Sequence, residues 1–406
     1  MTTNLMWSYP WDLLDEGVDD AVGRMHERAG VTDVAVTTFY HAGKFLHPNN
    51  PRRRLVFPVS STLYFRPDPA WHGRLRLAPP VWPGLDEADP WPQIREACDA
   101  RGMGVTAWTL TLHSSGIGER YPDTTVENAY GDRIITDLSA AHPDVADLLV
   151  AMTRDIAEHL PVDRIMLESL EYMPFQHGYH HEVLGVPTGP TVGMLMALDF
   201  SEPAVQAAAD QGVDVARVRG WVVETLDRHF ADPFAGHVTH GWAEVRAALG
   251  GEVGRFLDVR RGVVRSLTER VISSIREASD ATVALCDFGP LYAMPPDGTA
   301  WESGMDLAVT TELADEVHPT LYLGDPAANR QKLVDYLALV GDADVGVIPA
   351  IRAILPQTSD AAGLEAQVRN LDGLVDGASF YNYGFMARQA LDWIGASMST
   401  FSPRDR

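Results

Sequence analysis

The run Arg164-Ile-Met-Leu-Glu-Ser-Leu-Glu-Tyr172 is one of eight short stretches rich in β-branched and aromatic residues, and it ends in two carboxylates, Glu168 and Glu171. The others are Asp33 to Tyr40, Phe57 to Phe65, Gly104 to His113, Thr282 to Phe288, Glu316 to Leu323, Val345 to Arg352 and Ala378 to Gly384. Helical periodicity separates most of them. Strands that alternate with helices pair in parallel through βαβ crossovers, and eight such units predict a closed (β/α)8 TIM barrel. On that reading Arg164 to Leu170 is the fourth strand, and it drives Glu168 and Glu171 into the barrel mouth.

The predicted helices fit this alternation. Asp12 to Gly30 reads as a helix that precedes the first strand and covers the bottom or side of the barrel. His142-Pro-Asp144 opens an amphipathic helix to His159, with proline in the first turn and acidic residues near its positive end. Gly131-Asp132 is flanked by Thr125 to Tyr130 and Arg133 to Thr136, which predicts a hairpin folded over the mouth after the third strand. From Met173 to about Asp280 the alternation breaks. Residues 173–250 read as a helical insertion or cap between strands four and five, and Gly251 to Ser279 as the barrel's own fourth helix. The proline-rich stretch Pro67 to Pro92 carries Trp71, Trp82 and Trp91, which either pack on the outer face or present aromatic surface to a sugar.

A chain of 406 residues with 46% apolar content can bury one large elaborated barrel domain, 1–406. The formal charge of −24 argues against nucleic acid and anionic membranes as partners and favours a neutral or cationic small ligand. Cys98 and Cys286 make neither a disulfide framework nor a metal-binding pair. With no signal-like start and no run of about 18 apolar residues, a cytoplasmic location is expected. No Gly-rich phosphate fingerprint and no G-x-S-x-G elbow is present, so no cofactor is expected.

Barrel chemistry sits at the carboxyl ends of the strands. Those ends supply Tyr40 and His41, Arg66, His113, Glu168 and Glu171, Asp287, Tyr322 and Asp325, Arg352, and Tyr381-Asn-Tyr383. Glycoside cleavage needs one protonated and one ionised carboxyl. Glu168 with Asp287, on adjacent strands, meets that need, and Glu171 is a second choice for the partner. His41, His113, Tyr172, His177, His180, His181, Arg352, Tyr381, Asn382 and Tyr383 are the candidate ligand-binding residues. Arg352 either grips an anionic group on the ligand or neutralises Glu168 or Asp287. Trp108, inside the third strand, reads as core. The three histidines and three glutamates between Glu168 and Glu182 admit a divalent metal by residue type, but His177, His180 and His181 do not share one helical face, so no metal site is assigned.

Tyr121-Pro-Asp123, Asn128 to Asp132, Ala141-His-Pro-Asp144, Leu167 to Tyr172, His177 to Glu182 and Phe380-Tyr-Asn-Tyr-Gly384 together resemble a poorly characterised group of bacterial barrel proteins catalogued as glycoside hydrolases. The resemblance runs from about Val31 to Ile394. It implies a (β/α)8 fold, carbohydrate-related chemistry and Glu168 as the catalytic position. Retaining barrel glycosidases place an Asn-Glu acid on strand four and a glutamate on strand seven; here Met166-Leu-Glu168 lacks the asparagine and strand seven ends in Pro349-Ala-Ile-Arg352. The expected activity is cleavage or transfer of a glycosidic bond on a small glycoside. A metal-dependent lyase, isomerase or hydrolase using the histidine segment, and a non-catalytic carbohydrate-binding barrel, remain as alternatives.

Overall fold

The computed structural model describes residues 2–177, 179, 182–235, 241–291, 299–300 and 303–404. Eight parallel strands close on themselves: β1 (Thr3–Ser8), β2 (Asp33–Tyr40), β3 (Gly104–Leu110), β4 (Arg164–Glu168), β5 (Thr282–Asp287), β6 (Glu316–Leu321), β7 (Ala350–Arg352, led in by Gly346–Val347) and β8 (Gly377–Tyr381). Each pairs with its sequence neighbours, and β8 returns to β1 with Thr3 opposite Gly377, which seals the barrel. The expected (β/α)8 class is the observed one.

Two of the expected strands change. Thr3–Ser8, which the sequence reading passed over, is the first barrel strand, so the helices Pro10–Glu16 and Val18–Ala29 lie between β1 and β2 rather than before the barrel. Its interior is Asn-Leu-Met-Trp, buried on both faces, and carries neither alternation nor β-branching. Phe57 to Phe65 is not a barrel strand. Pro58 and the left-handed Ser61 (φ 56°) interrupt it, and Thr62–Leu63 alone pairs, antiparallel, with the end of β2. Phe57 and Val59 stand exposed. The count of eight survived because one omission offset one false inclusion.

The hairpin forms from Thr125–Glu127 and Arg133–Leu138, turning at Gly131 with φ 90° while Asn128 accepts from the backbone of Tyr130 and Asp132. Pro143–His159 is the third barrel helix, and the long Glu252–Ala278 helix packs beside it, with Ser274 donating to the Val150 carbonyl. Trp71 and Trp91 pack on the outside: Trp71 donates to Glu158 and lies under Arg154, and Trp91 donates to the Tyr64 carbonyl. Both cysteines are buried thiols.

Between β4 and the long helix lie Pro190–Met196, Glu202–Asp210, Val215–Ala231 and Trp242–Ala247. They gather Val192, Leu195, Phe200, Val222 and Leu226 into an apolar cluster separate from the barrel core, closed by Val253 and Phe256 of the long helix. The cluster is tied to the hairpin and its outgoing strand: Phe200 donates its N–H to the Glu127 carbonyl, and Ser139 donates to Asp199. No described helix is long and apolar enough to cross a membrane.

At the strand starts, Arg164 bridges Asp33 of β2 and Glu316 of β6 at 2.5 and 2.8 Å. Burial opposes ionisation of Glu316, but the His318 hydrogen bond and the Arg164 charge hold its carboxyl at about 2. This network ties the bottom of the barrel and leaves the opposite, carboxyl-end face for chemistry.

Candidate active site

The parallel register sets the inner face of the mouth. Trp108 on β3 lies opposite Met166 on β4, and Leu110 lies opposite Glu168. Side chains two apart share a face, so Met166 and Glu168 both point inward, toward Trp108. Trp108 donates its indole N–H to the Glu168 carboxyl. It is also packed edge-on against Trp7, Tyr40 and Tyr381. The sequence reading placed Trp108 in the core; it is buried there, but its N–H is spent on the acid at the centre of the mouth.

Three phenols converge beside it. Tyr9 donates to Tyr40 at 3.0 Å, its oxygen is 3.2 Å from that of Tyr381, and Tyr40 and Tyr381 are 3.5 Å apart. Arg352, at the end of β7, holds its guanidinium 4.2 Å from the centre of the Tyr322 ring and 5.4 Å from that of Tyr381. Glu168, Arg352, Tyr381 and His41 are half-buried, so this cluster opens to solvent. Burial pushes the Glu168 carboxyl up to about 7, against the Trp108 N–H and the Arg352 charge, both of which favour the ionised form.

One wall of the mouth is a ladder of imidazoles. The ring centres of His41 and His113 are 4.3 Å apart and those of His113 and His177 5.1 Å. Burial, helped by His177, pushes His113 down to about 4, and its Nδ1 meets the Thr136 carbonyl. His177 is lowered as well, by desolvation and then by Arg352 against the pull of Glu182. Both rings are therefore neutral hydrogen-bonding groups near pH 7. Beyond His177 a cleft of about 180 Å³ runs along Thr136, Asp137, Met173, Tyr179 and Glu182. A larger groove, about 630 Å³, lies on the outside between Glu202–Asp210 and Glu252–Ala278 and contains none of the strand-end groups. The mouth, where the titratable and aromatic groups converge, is the better candidate.

Several expected site residues lie elsewhere. Ser169, directly after Glu168, takes a left-handed backbone (φ 59°) that ends the pleat, a conformation a non-glycine residue adopts at a cost of about 1–3 kcal/mol. Beyond that kink Glu171 is buried away from the mouth, so the two carboxylates of the run separate. Glu171 is driven well above the usual carboxylate range by burial and then by Asp287. Asp287 sits on the opposite face of β5 from Cys286: it accepts from Tyr336 of the helix Pro326–Val340 at 2.9 Å and from the Gly289 N–H at 2.6 Å. Burial raises Asp287 too. The structure thus brings Asp287 to Glu171 and not to Glu168.

Tyr172 is buried, donating to Asp199 at 3.1 Å with the Arg260 guanidinium 4.0 Å from its ring centre. Tyr383 donates to Glu16 and accepts from Arg24 in the helix layer, both at 2.8 Å. Asn382 is fully buried and accepts from the Gly384 N–H. None of these three faces the mouth: Tyr172 is spent on Asp199, Tyr383 on Glu16 and Arg24, and Asn382 on the Gly384 N–H. His180 and His181 lie outside the described residues. Among the described residues no group of three or more His, Cys, Asp or Glu is arranged to hold a metal ion.

The strand ends also supply Trp108 and Tyr9, which the sequence reading did not assign, beside Tyr40 and Tyr322, which it named as strand-end groups without giving them a role. The signal for Trp108 is the strand register, which a single run does not carry. That for Tyr9 is the overlooked first strand.

No protein-family model matches the chain, and no curated protein matches it in sequence. Its fold is shared with solved structures. The PgaB (BpsB) glycoside hydrolase domain from Bordetella bronchiseptica superposes with a TM-score of 0.63 at 15% identity over 100% of both chains. The catalytic domain of β-amylase from Paenibacillus polymyxa gives 0.57 at 9% identity over 99% of both chains. The α-L-fucosidase isoenzyme 2 from Paenibacillus thiaminolyticus gives 0.58 at 11% identity, with 98% of this chain matching 49% of that one. The chain is a (β/α)8 barrel of the shape these enzymes share; at such identities the likeness is one of fold.

Proposed function

We propose that this protein is a glycoside hydrolase-like enzyme that cleaves or transfers a glycosidic bond of a small glycoside, with Glu168 as the proton donor. The observation that carries the reading is a half-buried carboxyl held protonated to about pH 7 at the centre of an aromatic barrel mouth. A glycosidic oxygen leaves as an alcohol only if it receives a proton as the bond breaks, while water or an acceptor hydroxyl bonds to the anomeric carbon and gives its own proton to solvent; an acid serves best when its pKa lies near the working pH. Trp108 fixes the Glu168 carboxyl, and the exposed faces of Tyr381 and Phe385 offer apolar surface to a sugar ring. The neutral His113 and His177, and His41 beside them, offer hydrogen bonds to hydroxyls. The shared fold of three enzymes whose names state carbohydrate chemistry is a supporting analogy.

In this reading Asp287 is not the partner of Glu168. Asp287 and Glu171 form a buried acid pair behind β4 and β5, and the sequence-based pairing of Glu168 with Asp287 gives way to Glu168 acting beside Arg352 and the phenols. The test is turnover of a panel of aryl glycosides by the native protein and by Glu168→Gln. Loss of turnover in the variant, smaller for dinitrophenyl leaving groups that need no proton, supports the assignment. Sugar binding with no turnover of any aryl glycoside by the native protein would instead identify a carbohydrate-binding barrel.

A further inference from the structure

Among the described residues Arg352 has no carboxylate partner at the proposed reacting centre. Its guanidinium is held by the Tyr322 and Tyr381 rings, its Nε has no hydrogen-bond partner among the described residues, and no described carboxylate forms an ion pair with it. By contrast Arg164 is tied to Asp33 and Glu316, Arg24 to Glu16 and Tyr383, and Arg95 to Asp163. Arg352 stands where the chemistry is proposed to occur, in a chain whose net charge is −24.

Such a cation conflicts with glycoside cleavage unless something neutralises it. The transition state develops positive charge on the sugar ring, and a bare guanidinium a few ångströms away in a partly desolvated mouth opposes it. Glu168 does not cancel the charge, since its carboxyl keeps its proton to about pH 7. His113 and His177 are neutral near that pH. Among the described residues no other group neutralises Arg352, and a substrate anion can. Resting on the hydrolase reading above, we infer that Arg352 is the specificity-determining residue for a sugar acid: the substrate bears a carboxylate that the guanidinium receives as a fork, in the mouth lined by Tyr322, Tyr381 and Glu168.

A carboxylate suits the site better than a phosphate. Arg352 is one cation, matched by one negative charge, and a planar guanidinium meets a planar carboxylate through two parallel N–H···O bonds. Phosphate sites add further cations or clustered backbone N–H groups. The neighbours of Arg352 here are aromatic rings and an acid, within a strongly acidic protein that repels a dianion. The rings beneath Arg352 fix its side chain before the ligand arrives, so little rotamer entropy is lost on binding.

Titration calorimetry tests this with D-glucuronate, D-galacturonate and N-acetylneuraminate against glucose, galactose, glucose 6-phosphate and galactose 6-sulfate. At least one sugar acid is expected to bind roughly tenfold or more tightly than the neutral sugars, from one charge-assisted bidentate contact. Arg352→Met is expected to remove that preference, and Arg352→Lys to keep part of it; thermal melts of both variants establish that the barrel is intact. Equal binding of acids and neutral sugars, preference for the phosphate or sulfate, a preference that persists in Arg352→Met, or no sugar acid binding overturns the inference. Aryl uronides and aryl glucosides separate it from the hydrolase reading. Turnover of neutral glycosides with no advantage for uronides sinks the inference alone. Arg352-dependent binding of a sugar acid without turnover of any aryl glycoside upholds the inference and sinks the hydrolase reading.

Discussion

Replacing Glu168 with glutamine changes the pH dependence of folding stability in a way that needs no substrate to measure. The carboxyl is raised from 4.5 to about 7 in the folded chain, chiefly by burial. Each tenfold change in proton affinity is worth about 1.4 kcal/mol, so the displacement corresponds to about 3 kcal/mol, and solvent reaching the half-buried carboxyl trims it to about 2–3 kcal/mol. Because the folded value is the higher one, the protonated carboxyl contributes its full stability below pH 4.5. That contribution is lost progressively as pH rises from 4.5 to about 7, and the loss is complete above that range. Glutamine cannot ionise and still offers an oxygen to the Trp108 N–H. The variant is therefore expected to match the native protein near pH 4 and to exceed its unfolding free energy by about 2–3 kcal/mol at pH 8. Urea unfolding followed by tryptophan fluorescence at pH 4, 6 and 8 measures this difference. A constant offset at all three values, or a difference that grows toward low pH, would refute the argument that Glu168 is held protonated by burial.

Removing the indole donor in Trp108→Phe takes away a hydrogen bond that favours ionised Glu168, so the alkaline limb of any glycosidase pH profile should move to higher pH; an unmoved limb removes Trp108 from the site. Glu171→Gln relieves a like-charge pair whose two members are both raised, so the variant should gain stability over the native protein at pH 8–9 and little at pH 4, read from the same unfolding curves. Arg164→Met strands Asp33 and Glu316 at the barrel bottom and should cost about 3–5 kcal/mol near pH 7. The penalty should shrink as Glu316 takes up a proton between pH 4.5 and about 2, and a pH-independent cost would assign it to packing instead. Gly377→Ala would set a Cβ 2.2 Å from the Thr3 carbonyl oxygen at the seam where the barrel closes, so a loss of about 1–3 kcal/mol in chemical denaturation is expected.

The chain advertises its architecture locally. Seven of the eight barrel strands, the Gly131 hairpin, the proline-opened helix at Pro143 and the helices after β4 each arise from signals within a few neighbouring residues: apolar runs, a glycine able to take φ of 90°, a proline where no N–H is needed. Thr3–Ser8 escaped because a strand buried on both faces has no polar–apolar alternation to display. Glu168 is legible for the same local reason, as a carboxylate that ends an apolar strand. What surrounds it is not. Only strand register puts the Trp108 N–H on its carboxyl, and only the left-handed Ser169 sends Glu171 away from the mouth and toward Asp287. Tyr381 and Tyr383 are two residues apart, yet one reaches the mouth while the other joins Glu16 and Arg24 in the helix layer. The sequence by itself determined the barrel and its central acid, because backbone propensity and apolar patterning act between near neighbours. Tertiary structure alone decided the partners of that acid and set Arg352 over aromatic rings with no carboxylate partner among the described residues, because electrostatics acts between groups that only the closed barrel brings together.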